Sequence, residues 1–170
     1  MGLGQGYPIA DEAFDFELFK LAGTFAASSE LVRLGKSNDG ISRLRAMFEQ
    51  SDASRRLIAV AVMVRSKLDS RTVLRPNQLD EIAAMDVGSL VPDLEQASQT
   101  VPLAFREACN KIIHATSLDL TVDAGSDESE SDAVLSLTVT LWGARSSRSG
   151  AREWHAELDV PRFIQAASRL

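Results

Sequence analysis

The stretch Phe105–Ala115, FREACNKIIHA, constrains this chain more than any other, because its apolar and polar residues recur with the period of a helix. At about 100° per residue, Arg106, Glu107, Asn110, Lys111 and His114 fall in one sector, while Phe105, Ala108, Cys109, Ile112 and Ile113 fill the other. A helix of this kind must bury its apolar side, so the chain has to build a packed core around it. Its polar side sets Arg106, Asn110 and His114 one turn apart in an ascending stripe. A cation, an amide and an imidazole on one face suit phosphate binding and proton transfer. They equally suit a solvated face, with a structural hydrogen bond between Asn110 and His114. What separates the two readings is whether another helix or a second subunit covers the stripe.

A chain of 170 residues with 45% apolar composition fits one domain over residues 1–170, and a domain of that size buries roughly 70% of the surface its unfolded chain exposes. Such a core needs no disulfide or metal. The one cysteine, Cys109, sits at an apolar helix position, as a small buried side chain in a reducing compartment would. The only histidines are His114 and His155, with no second cysteine, so neither a metal nor a cofactor is expected. His155 alternates with apolar strand positions and is expected to point outward with Glu157 and Asp159. The glycines of GLGQG precede no strand-to-helix turn, and no nucleophile elbow is present. The first residues, MGLGQGYPIADE, have no basic region followed by an apolar run, and no segment offers the roughly 18 apolar residues of a bilayer span. The expectation is a cytoplasmic protein with no membrane partner.

The net charge of −6 is local. Residues 119–132 hold Asp119, Asp123, Asp127, Glu128, Glu130 and Asp132 without Lys or Arg, so the remainder of the chain is neutral. Their Gly/Ser setting reads as a solvated acidic hairpin tip rather than a calcium loop or a preorganised acid/base pair. Residues 55–75 carry Arg55, Arg56, Arg65, Lys67, Arg71 and Arg75 against Asp69 alone. Without interleaved aromatic residues, this basic run reads as helix solvation ahead of a polyanion site.

Hydrophobic periodicity predicts an α+β fold: an N-terminal helical bundle, a three-stranded antiparallel β-meander and a short C-terminal helix. After a flexible tail over 1–10, Phe14, Leu18, Leu21, Ala22 and Phe25 mark a helix ended by Gly35. Asp39 caps the next, in which Ile41, Leu44, Met47 and Phe48 keep the helical period. SDAS at 51–54 is either a new N-cap or a weak point in one long helix, and Leu57–Leu68 is central to the bundle. A short helix is expected at Gln78–Met85, and Thr100 with Pro102 is expected to open the helix that contains FREACNKIIHA, so that the bundle spans 11–116. The period then changes to alternation, with Leu118, Leu120 and Val122 on one strand, Leu135, Leu137, Val139 and Leu141 on the next, and Trp154, Ala156, Leu158 and Val160 on a third. GSDESESD and GARSSRSGAR read as hairpin tips within the meander, 117–160. The last helix, 161–170, starts near Pro161 with Asp159 as its cap.

The Arg- and His-bearing helix, preceded by a long Leu/Ala/Val-rich helix, resembles the HEPN superfamily of small bacterial helical bundles over residues 11–116. That resemblance implies a homodimer in which an Arg and a His converge across the subunits, with metal-independent cleavage of RNA in a toxin or defence system. It implies phosphate neutralisation by Arg106, acid/base chemistry by His114 and orientation of the imidazole by Asn110. The family motif it resembles places four to six residues between Arg and His, with a polar residue directly after Arg; here seven intervene, and Glu107 follows Arg106. The alternative function is a non-catalytic interaction protein, antitoxin-like or regulatory, whose acidic hairpin contacts a basic partner.

Overall fold

Two long helices open the structure, a computed structural model that describes residues 10–36, 38–70, 75–96, 99–122, 134–147 and 150–170. Helix α1 is Asp11–Gly35, with Asp11 and Glu12 in its first turn, where the helix dipole favours acids. Gly35 ends it as expected, at a site where a Cβ would stand 2.7 Å from the Ser42 hydroxyl, which donates to the Gly35 carbonyl at 3.0 Å. Helix α2, Asp39–Ser70, is capped one residue before the expected position: Asn38 Oδ1 accepts from the amides of Gly40 at 3.0 Å and Ile41 at 3.3 Å. The serines of 51–54 do not break α2, because Ser51 and Ser54 donate back to the carbonyls of Phe48 and Gln50 along the helix. Asp11 meets Lys67 at 2.5 Å, Glu17 meets Arg56 at 3.7 Å and Gly35 meets Ser42, so α1 and α2 form an antiparallel hairpin.

Helix α3, Pro76–Ala83, matches the short helix expected at 78–85. Five strands follow where three were expected: β1 (Asp86–Val91), β2 (Val101–Ala104), β3 (Ser117–Val122), β4 (Val134–Ser147) and β5 (Gly150–Asp159). They form one sheet in the order β2-β1-β5-β4-β3, with every neighbouring pair antiparallel. The expected meander is β3-β4-β5, and β1 and β2 extend it from within the region assigned to the helical bundle. Thr100 and Pro102 therefore do not open a helix. Pro102 sits on the edge strand β2, where a missing N–H is tolerated, and helix α4 (Phe105–His114) starts only at Phe105, whose amide donates to the Met85 carbonyl at 2.8 Å. The β4–β5 ladder runs unbroken from Thr138↔Asp159 to Ser147↔Gly150, so most of GARSSRSGAR is strand. The acidic tip over 123–132 and the tail over 1–9 lie outside the described residues.

The alternation of the strands puts one sheet face against the helices and leaves the other open. Val87, Leu103, Leu120, Val139, Leu141, Trp154, Ala156 and Leu158 point inward and are buried. Leu137, expected with them, is exposed, because the β3–β4 register slips between Asp119/Thr121 and that part of β4 is irregular. The helical side of this core comes from Phe14, Leu18, Leu21 and Phe25 of α1 and from Leu57, Val60, Ala61, Val64 and Leu68 of α2. Helix α5, Val160–Ala167, is capped as expected, with Asp159 Oδ1 accepting from the Arg162 amide at 2.9 Å, and it buries Phe163 against Phe105 at 5.2 Å between ring centroids.

Candidate functional site

Helix α4 has the two faces its sequence requires. Phe105, Ala108, Cys109 and Ile112 are buried, and burial pushes the Cys109 thiol up to about 12, with Arg65 and Arg106 pulling weakly the other way. The polar face is engaged in structural contacts along much of its length. Arg106 is ion-paired with Asp69 in the last turn of α2, and Asp69 also pairs with Arg65 at 3.2 Å. Arg65 Nη1 is buried without a hydrogen-bond partner among the described residues. Asn110 Nδ2 donates to Glu107 Oε2 at 3.0 Å, one turn back, rather than to His114. Lys111 lies 4.2 Å over the Trp154 ring and 3.5 Å from Glu107. His114, in the last turn, is exposed. The structure thus keeps Arg106, Asn110 and His114 on one side of α4 but spends Arg106 and Asn110 on α2 and on Glu107. Eight positions apart, Arg106 and His114 are offset by about 12 Å along the helix axis.

His155 does lie on the outer sheet face, yet it is half-buried: its ring stacks on Trp142 with centroids 4.3 Å apart. Among the described residues no three His, Cys, Asp or Glu are grouped to hold a metal ion, and no helix is long and apolar enough to cross a membrane.

A second conspicuous surface lies on the α1–α2 hairpin. On α1, Phe16 and Phe19 lie opposite the buried row of Phe14, Leu18, Leu21 and Phe25, and are 59% and 74% exposed. On α2, Leu44, Phe48, Ile58 and Val62 lie on the side turned away from Leu57, Val60 and Val64, and all four are exposed. A groove of about 740 Å³ runs between the helices, lined by Thr24, Ala27, Leu31, Ile41, Leu44 and Phe48. Against its wall, Arg45 and Glu49 pair at 3.0 Å with side chains only 9% and 10% exposed, and Glu49 Oε1 has no hydrogen-bond partner among the described residues. Asp52 at the rim is partly desolvated, which raises its pKa, but hydrogen bonds from Arg55 and Arg56 outweigh this and hold its carboxyl below the usual range. The sequence did carry a signal for this surface: α1 has two apolar rows on opposite sides, more than one buried face needs.

Compared with known protein families, characterised proteins and solved structures, the chain finds no match. Its functional reading therefore rests on geometry.

Proposed function

We propose that this protein is a non-catalytic protein-interaction module whose working surface is the outer face of the α1–α2 hairpin. The observation that supports this reading is the set of six large apolar side chains, Phe16, Phe19, Leu44, Phe48, Ile58 and Val62, exposed on the side of the hairpin away from the core. Monomeric proteins seldom leave this many large apolar side chains in water on one side, and a helix apolar on opposite sides is one with protein on both. The polar stripe of α4 fits a structural part in the same scheme. Arg106 ties the start of α4 to the end of α2 through Asp69, and Lys111 covers Trp154.

Catalysis by Arg106, Asn110 and His114 is the competing proposal, with RNA as substrate and His114 as the acid/base group. It requires Arg106 to exchange Asp69 for a phosphate. The experiment that separates the two incubates total cellular RNA with the wild-type protein and with His114→Ala in the presence of a chelator. The interaction reading expects no cleavage by either protein. Cleavage by the wild type that is lost in a folded His114→Ala variant would contradict it and support metal-independent catalysis.

A further inference from the structure

Resting on the reading of the α1–α2 outer face as an interaction surface, we infer that its partner is a second copy of this chain, stacked face to face so that α1 of each copy lies over α2 of the other. Three observations select this occupant: area, charge and shape.

The six exposed side chains present about 600 Å² of apolar surface, and the neighbouring Leu31, Ile41 and Met47 extend the patch toward the ~800 Å² per partner of a standard stable interface. A surface of that size is enough for a dimer without any further element.

The two helices carry opposite charge. Helix α1 is net −3, with five acidic residues against two basic, and α2 net +2, with six basic against four acidic; Asp11–Lys67 and Glu17–Arg56 satisfy part of this within each copy, and Glu12 and Asp15 of α1 and Arg43 of α2 stay exposed. A two-fold axis running along the hairpin puts the acidic α1 of one copy over the basic α2 of the other, and keeps every neighbouring helix pair antiparallel in a four-helix bundle. A two-fold axis across the hairpin would instead place α1 on α1 and α2 on α2, like charge on like.

Size alternates in the matching sense. The ion pairs Asp11–Lys67 and Glu17–Arg56, with the Gly35–Ser42 contact, set Phe16 of α1 level with Ile58 of α2, and Ala27 level with Phe48. The middle of the α1 outer face is shallow: Gly23, Ala26 and Ala27 occupy it, and a Cβ added at Gly23 would meet no atom within 4 Å. With the axis along the hairpin, Phe48 of one copy enters that notch on the other, while Phe16 and Phe19 cover Ile58 and Val62. This is a different face from the one the HEPN resemblance implies, since the apolar surface lies on α1 and α2 and the side of α4 that bears the stripe is polar.

The test uses the full chain. Light scattering at tens of micromolar should give twice the 18.4 kDa chain mass, and Phe48→Glu, a change at an exposed position, should give a monomer with unchanged circular dichroism. Ala27→Cys and Phe48→Cys chains carrying different tags are then mixed and mildly oxidised. The mixture should form the crossed disulfide many-fold faster than either variant forms its own. The native Cys109 is buried and does not compete. A wild-type chain that stays monomeric overturns the inference while leaving a heterologous partner for the interaction reading. A dimer that survives Phe48→Glu overturns the choice of face, and self-crosslinking of Ala27→Cys at the rate of the mixture overturns the arrangement.

Discussion

The hydroxyl of Ser28, in the middle of α1, accepts a hydrogen bond from the backbone amide of Leu135 at 2.8 Å, although 107 positions separate the two residues. Ser28 is only 1% exposed, so the bond is made inside the core, where α1 crosses the start of β4. It fixes the rotation of α1 on the sheet. With Ser28, Phe14 and Phe25 turned inward, Phe16 and Phe19 have to face out.

Replacing Ser28 with Ala leaves a buried amide without an acceptor, and the expected loss is about 1–3 kcal/mol of folding stability. Urea denaturation of the wild type and the Ser28→Ala variant measures it. No loss would mean that the amide finds another acceptor and that Ser28 does not orient the helix.

Gly88 has φ +154, and a Cβ there would lie 1.9 Å from the Glu157 carbonyl oxygen of β5. That oxygen belongs to the strand backbone and cannot swing aside as a side chain would. Gly88→Ala should therefore separate β1 from β5 and cost about 3 kcal/mol or more, from overpacking and backbone strain together. Thermal unfolding reads the effect, and a variant as stable as the wild type would contradict the β1–β5 register.

The Cys109 thiol, pushed up to about 12 from an ordinary value of 9.0, stays protonated in the folded chain while the unfolded chain ionises. Above pH 9 the unfolded state binds fewer protons than the folded one, so this group makes stability fall as pH rises, with a slope approaching ~1.4 kcal/mol per pH unit. Below pH 9 it contributes no pH dependence. The difference in stability between the wild type and Cys109→Ala, measured from pH 8 to about 11, isolates the group and should move against the wild type only above 9. A flat difference across that range would place the thiol in water.

The parts of the fold that were readable in advance are those whose instructions are local. Asp159 followed by Pro161 announces α5 within three residues, and the alternation in Trp154–Leu158 defines β5 without reference to anything else. Strands β1 and β2 escaped because they are six and four residues long, contain Gly88 and Pro102, and acquire strand character only by pairing with β5 and with each other. The α4 stripe was legible as a helix face, but Asp69, which decides what Arg106 does, lies 37 positions away. For the outer face the obstacle was different. Leu44 and Phe48 have the spacing of core residues, and periodicity shows which residues share a side without showing what that side meets.

We place the working surface on the outer face of α1–α2, with the α4 stripe serving the fold. Sedimentation velocity on the full chain distinguishes the two faces by comparing the wild type with Phe48→Glu on the one and the double variant Arg106→Ala/His114→Ala on the other. Breaking the exposed Arg106–Asp69 pair should cost no more than ~1 kcal/mol, so the double variant stays folded. The wild type and the double variant should sediment as the same dimer, and Phe48→Glu should sediment as a monomer. Assembly lost in the double variant and kept in Phe48→Glu would contradict this placement and return the functional site to Arg106, Asn110 and His114.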